Sequence, residues 1–198
     1  MNEKGVLIVL SGPSGSGKDT VLDEIAKIIP IQRSISMTTR EKRVNEANNI
    51  DYIFVDRDHF EKCIRDEDVL EYVEYSGNYY GTPKGPIDKW LEEGKTVVLK
   101  IEVRGAENIK KIYPNAVTVF IVPPSFETLE NRLRRRNSEK EEDISKRLET
   151  ARYEISCAHD FDYVIINDEL DDAISDLNTI IKAERLKNNK MKFFKSEV

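Results

Sequence analysis

The stretch "VLIVLSGPSGSGKDT", residues 6–20, decides the fold. Its first part, Val6 to Leu10, is a short apolar run rich in β-branched residues and without polar alternation, as expected for a strand buried on both faces of a parallel sheet. Gly12, Gly15 and Gly17 then let the backbone turn so that successive N–H groups point inward at an anion. Lys18 adds a mobile positive charge at the start of a helical pattern over 18–29. A glycine-rich turn with an incidental lysine is the blander reading. Strand, G-x-x-x-x-G-K and helix in that order argue instead for a phosphate-binding loop formed by Ser11, Gly12, Pro13, Ser14, Gly15, Ser16, Gly17, Lys18, Asp19 and Thr20. One position departs from the pattern. The residue after the lysine, ordinarily Ser or Thr, is Asp19, whose carboxylate stands beside phosphates that are themselves anionic. Thr20 follows and offers a hydroxyl in its place.

Working outward, three more apolar runs read as buried strands: Thr96 to Val103, Val117 to Val122 and Tyr163 to Ile166. Helical patterns fall at 105–112, 125–136, 141–158 and 169–188. Strands alternating with helices imply right-handed crossovers and an open α/β sheet. Asp58 with Glu61 has the form of a helix-starting box, and Ser125 after two prolines is an N-cap. Two regions break the alternation. Residues 38–90 interpose "DYIFV" and "VLEYVEYSGNYYG", which has hairpin character, and residues 126–152 are a highly charged helical segment. Insertions at the carboxyl edge of a parallel sheet are where ligands are held and lids move. The expected organisation is one domain, with a core at 1–37, 91–125 and 153–198, a substrate-binding insertion at 38–90 and a lid at 126–152.

Composition narrows the function classes. A chain of 198 residues is enough for one domain with a substantial core. Charged residues make up 34% and the net charge is -6, which argues against a general binder of nucleic acid or anionic membrane, so any anion is held by local basic clusters. Cys63 and Cys157 fit no metal spacing and read as free thiols in a reducing compartment. No apolar stretch approaches the roughly 20 residues of a membrane span, and the N-terminal run is interrupted too soon for a signal peptide. A cytoplasmic location is the expectation. The basic stretch "ERLKNNKMKFFKSEV" at the end reads as a helix end, and a homodimer stays open.

The segment "SISMTTREKRVNEANNIDYIF", residues 34–54, identifies a family. With a serine, T-T-R-x-x-R, then Glu and D-Y, it resembles guanylate kinase. The likeness continues through "VLEYVEYSGNYYGTP", "VVLKIEVRGA", "VTVFIVPPS" and "YVIIND", over essentially the whole chain. The G-K-x-T arrangement of the loop likewise looks like that of nucleoside monophosphate kinases.

This resemblance implies a P-loop α/β kinase that transfers a phosphoryl group from ATP to GMP or dGMP, with Mg²⁺ on the donor phosphates; Asp19, although it departs from the family pattern, and Thr20 are expected on the metal side through water. Arg40 and Arg43 would form a fork for the acceptor phosphate, since paired guanidiniums give bidentate contacts, and Tyr52 and Tyr80 would add neutral donors. Ser36, Glu71, Thr82 and Glu102 match guanine-site positions. An ionised Glu71 can accept from guanine N1–H and the 2-amino group, whereas adenine has neither donor there. Arg132, Arg136 and Arg147 match lid arginines, which with Lys18 and Arg43 would stabilise the transferring phosphoryl group. Asn167 would contact adenine. Arg134, Arg135, His59 and His159 match no functional position. Taken singly, the arginines also read as a solvated loop, the tyrosines as core and Glu71 as a surface residue; their joint spacing behind a phosphate loop favours the site.

Some positions depart from the family pattern. Asn45, Asn49 and Asn137 stand where glycines are common, and Asn tolerates positive φ. Lys100 stands at a strand end where a carboxylate is frequent. Position 19 has gained a carboxylate where position 100 has lost one, so Asp19 and Lys100 are expected to pair. Two other readings share parts of the pattern. A non-catalytic phosphopeptide-binding scaffold would use Arg40, Arg43 and Tyr80 but not Gly17, Lys18 and the lid arginines. A transferase acting on a ribose bisphosphate would share the loop but not need Glu71.

Overall fold

The computed structural model describes residues 5–75, 77–135 and 141–187. Its centre is a five-stranded, all-parallel sheet built from β1 (Val6–Ser11), β2 (Ile31–Arg33), β7 (Thr96–Lys100), β8 (Val117–Val122) and β9 (Tyr163–Ile166), in the order β2-β7-β1-β8-β9. β1 is the middle strand, and the side-chain alternation of a strand divides its residues between two apolar layers. Ile8 and Leu10 pack with Val21, Leu22 and Ile25 of α1 (Lys18–Ile28) and Leu177 and Ile181 of α7 (Leu170–Leu186). Leu7 and Val9 pack on the other face with Ile87 of α3 (Lys84–Glu92) and Ala106 and Ile109 of α4 (Val103–Ile112). Helices on both faces explain why these strands read as continuous apolar runs. Among the described residues no helix is long and apolar enough to cross a membrane.

A second sheet stands beyond the carboxyl edge. It contains β3 (Met37–Thr38), β4 (Ile53–Phe54), β5 (Val69–Tyr75) and β6 (Asn78–Pro83), in the order β4-β3-β6-β5, and includes the expected β5–β6 hairpin. The pairing of β5 with β6 shifts register between Val69 and Tyr72. Such a bulge bends the strand and re-aims a side chain; here the residues within it are Leu70 and Glu71. α2 (Arg57–Arg65) covers this sheet, with Phe60 stacked on Tyr79. α5 (Phe126–Arg135) and α6 (Glu141–Ser156) form a pair with a small apolar centre of Leu129, Leu133 and Ala151.

Several local expectations change. The strand expected over Thr96 to Val103 ends at Lys100, because Glu102 adopts the extended conformation of an N-cap and its carbonyl accepts from Ala106 to open α4. α2 is capped by Asp56, not Asp58: the Asp56 backbone is extended and its carboxylate accepts from His59 N at 2.7 Å, whereas Asp58 already lies in the first turn. Ser125 does cap α5, accepting from Thr128 N at 3.0 Å. α3 falls within the segment read as an insertion, 38–90, yet Ile87 and Trp90 pack into the core of the parallel sheet. Cys63 and Cys157 are free thiols.

Candidate active site

The phosphate loop joins β1 to α1 at the middle of the sheet. Gly12, Gly15 and Gly17 have φ of 140°, 89° and 92°, backbone that L side chains rarely adopt. Space enforces the same choice. A Cβ at Gly12 would lie 2.1 Å from the Ile121 carbonyl, and one at Gly17 would lie 2.2 Å from Asn167 Nδ2. Lys18 donates to the carbonyls of Gly12 and, at 2.9 Å, Pro13. Burial lowers the affinity of its amine for a proton, an effect Lys100 adds to and the carboxylates of Glu154, Asp19 and Glu102 oppose. Ser11 Oγ and Ser16 Oγ are buried without a hydrogen-bond partner among the described residues. The loop thus holds polar capacity that the chain itself does not use.

A cleft of about 310 Å³ opens on this loop, and Gly12, Ser14, Lys18, Asp19, Lys100, Glu102, Arg147 and Glu154 are among its lining residues. Arg147 donates to Ser14 Oγ and so ties α6 to the loop. Lys100 donates to Asp19 Oδ1, the pairing expected from their complementary departures. Burial alone would raise the Asp19 carboxyl, but Lys100, with Lys18 and Arg33, holds it below its ordinary value. Glu154 was given no role from the sequence. It lies seven residues beyond Arg147, two turns along the same face of α6. Burial raises its affinity for a proton and Glu102 adds to this, while Lys18 opposes it.

At the other end of the site, the bulge in β5 turns Glu71 towards β6, where Thr82 Oγ1 donates to Glu71 Oε1 at 2.5 Å. Thr82 is 3% exposed. Burial pushes the Glu71 carboxyl above its ordinary range and the nearby Glu102 adds to that, while the Thr82 hydroxyl works against both. Glu102, at the start of α4, therefore stands within electrostatic reach of Glu71, Glu154 and Lys18. Ser36 accepts from Ile53 N at 2.9 Å through its backbone carbonyl.

The two arginines of the 34–54 segment are organised by Glu46. Its Oε1 accepts from Arg40 Nη2 at 2.7 Å and its Oε2 from the backbone N–H of Arg43 at 2.9 Å. Arg40 also lies 5.5 Å from the ring centre of Tyr52 and stands within electrostatic reach of Tyr80. Tyr52 and Tyr80 meet edge to face at 5.9 Å. Arg43 is exposed. The segment's glutamate was visible in the motif, but its use as an internal scaffold was not.

The remaining assignments divide. Asn167, expected at adenine, is 5% exposed and its Nδ2 donates to the Ser16 carbonyl at 2.7 Å, so it braces the loop from beneath. Arg132 donates to the Asn167 carbonyl at 3.0 Å. Thr20 is exposed in the first turn of α1. Arg136 and Asn137 lie outside the described residues. Arg134, Arg135, His59 and His159 are exposed.

Comparison with known proteins follows the same lines. The guanylate kinase family model matches residues 4–184. A guanylate kinase of Carboxydothermus hydrogenoformans is 48% identical over 191 residues, spanning 96% of this chain and 94% of that protein. One from Thermus thermophilus is 45% identical over 188 residues, spanning 95% and 86%. The crystal structure of guanylate kinase from Anaplasma phagocytophilum superposes with a TM-score of 0.74 at 32% identity, covering 96% of this chain and 90% of that one.

Proposed function

The chain belongs to the guanylate kinase family, and from that membership and the cleft we infer that it transfers the γ-phosphoryl group of ATP to GMP, forming GDP and releasing ADP. An oxygen of the GMP phosphate forms the new bond to the γ-phosphorus as the bond from that phosphorus to the β–γ bridging oxygen breaks. What supports this reading is two chemically distinct groups of side chains linked through Glu102, which lines the loop cleft. A lysine sits in a glycine-rich loop at one end, a carboxylate steadied by a buried threonine at the other, and Glu102 lies within electrostatic reach of both.

We assign the residues as follows. Glu71 accepts from guanine N1–H and the 2-amino group, with Thr82 holding one of its oxygens and Ser36 and Glu102 completing the base site. Arg40, Arg43, Tyr52 and Tyr80 bind the acceptor phosphate; the preordered Arg40–Glu46 pair and the Tyr52–Tyr80 contact support that role. Because these contacts address the base and the phosphate, dGMP is proposed as a second acceptor. Lys18, Arg132, Arg136 and Arg147 supply positive charge to the transferring group. Little covalent work falls to protein groups in such a transfer, so positioning and charge are the main catalytic devices. The part of segment 38–90 that precedes α3, and segment 126–152, are proposed to close over the substrates and exclude water, which would otherwise accept the phosphoryl group. The two free thiols support a cytoplasmic setting.

Mg²⁺ fits the donor set as an ion held mainly by phosphate and water. Asp19 and Thr20 are exposed oxygen donors at the loop, and among the described residues no group of three or more His, Cys, Asp or Glu side chains forms a protein cage, which suits an ion that dehydrates reluctantly. When bound, it supplies charge neutralisation on the donor phosphates; Asp19 and Thr20 would hold its water. The test is ADP release measured across GMP, AMP, UMP, CMP and ribose 1,5-bisphosphate. GMP should be the preferred acceptor. Preference for the bisphosphate, or no turnover with any acceptor, would overturn the reading.

A further inference from the structure

Lys100 ends β7, paired in register with Leu10 of β1, and its ammonium reaches across to Asp19 on the first turn of α1. The two side chains are 43% and 65% exposed. An ion pair so open to solvent adds little to folding. Its location matters more. Asp19 directly follows the loop lysine, in the position that faces the phosphates and their metal in loops of this kind. Both partners line the same cleft as Lys18, where three cations, Lys18, Lys100 and Arg147, balance three carboxylates, Asp19, Glu102 and Glu154. Without Lys100 the lining would carry a net negative charge at the point where a polyphosphate must enter.

We propose that Lys100 is a positioning residue for the donor polyphosphate: it holds and neutralises Asp19, so that a loop with a carboxylate directly after its lysine still accepts an anion. Asp19 and Lys100 are then one functional unit, and the lysine is needed because the aspartate is present. This rests on the phosphate-loop reading above. It also separates two sources of positive charge at the site, the protein's lysine and a metal carried by the nucleotide.

The experiment is calorimetric titration of ADP, with EDTA and separately with Mg²⁺, into wild-type protein, Lys100→Met, Asp19→Asn and the double variant. With EDTA, Lys100→Met should weaken ADP by at least about tenfold, the scale of a lost charge-assisted contact. In the same EDTA titration, where Asp19 has no metal to serve, Asp19→Asn and the double variant should both lie within about threefold of wild type, the non-additivity expected of coupled neighbours. Mg²⁺ should reduce the Lys100→Met deficit, because the metal brings the charge the lysine gave, and Lys100→Arg should bind nearly normally. Melting temperatures should stay close to wild type, since the pair is exposed. Wild-type-like binding of Lys100→Met in EDTA, or effects of the two single changes that simply add, would overturn the proposal. Wild-type protein that takes up no ADP under either condition would overturn the loop reading itself, and this proposal with it.

Discussion

Glu71→Gln tests the choice of base most directly. Glutamine keeps the size and shape of the side chain but replaces one acceptor oxygen with an NH₂ donor. In the wild-type site Thr82, itself 3% exposed, already donates to Oε1 at 2.5 Å. Guanine presents two donors. Whichever way the amide turns, one of them meets an N–H, and the contact that survives is to a neutral group. The loss should be about 1.5–3 kcal/mol, the worth of a hydrogen bond to a charged group, or about 10–150-fold in kcat/KM for GMP. The assay is coupled ADP release with GMP and AMP varied in turn, and the KM for ATP should change little. Two further readings follow from the carboxyl being held above its ordinary range by burial and by Glu102. As pH falls, wild-type Glu71 takes up a proton earlier than an exposed glutamate and becomes a donor itself, so wild-type efficiency should decline towards that of the variant. Stability should move the opposite way. A group whose folded pKa is raised contributes stability below its unfolded value of about 4.5 and loses it as pH rises through the folded value, so the variant should melt higher than wild type at neutral pH, with the gap closing below about pH 4.5. An unchanged preference for GMP over AMP in Glu71→Gln would refute the assignment.

Lys18→Met should lower turnover by at least about a hundredfold, the scale of losing one electrostatic stabiliser, while calorimetry shows GMP binding largely kept; near-normal turnover would remove Lys18 from the transfer step. Arg43→Ala should weaken GMP by about 1.5–3 kcal/mol and leave guanosine almost unaffected, because only GMP carries the phosphate; equal weakening of both would point to the base or to misfolding. Asn167→Ala strips the Ser16 carbonyl of its donor at a buried position, which costs about 1–3 kcal/mol; melting temperature and ATP affinity should fall together while GMP affinity holds, and loss of ATP affinity at unchanged stability would instead support the adenine-contacting role.

What was legible depended on whether a residue's chemistry or its surroundings set its place. The strand, loop and helix over residues 6–28 carry their own instructions: buried apolar run, glycines that no side chain could replace, then helical spacing. The Asp19–Lys100 contact was legible because two departures carried opposite charges. α3 was missed because Gly85 and Pro86 look like turn signals, although Pro is tolerated in a helix's first turn, where its missing N–H has no partner to lose. β2 has only three residues, too few for a period. "VLEYVEY" reads as one arm of a hairpin, and nothing in it marks Leu70 and Glu71 as the residues of the bulge. Asn167 sits at the end of a readable strand, but which way its amide turns is decided by the loop packed on it. Glu154 is one carboxylate in a charged helix and is distinguished only by its spacing from Arg147.

The amide that braces the loop belongs to residue 167, while the loop it braces spans residues 12–17, and Ile121 closes on the same loop from β8. During synthesis, which proceeds from the N-terminus, the glycines and lysine of the loop emerge well before Ile121 and Asn167, which support them. A nascent chain halted near residue 150, or a proteolytic fragment ending there, would contain every residue of the phosphate loop and lack the donor that Ser16 requires. Donor-nucleotide binding is therefore expected only once residue 167 has been made, and its first appearance along a series of lengthening nascent chains would mark the moment at which β9 joins the sheet.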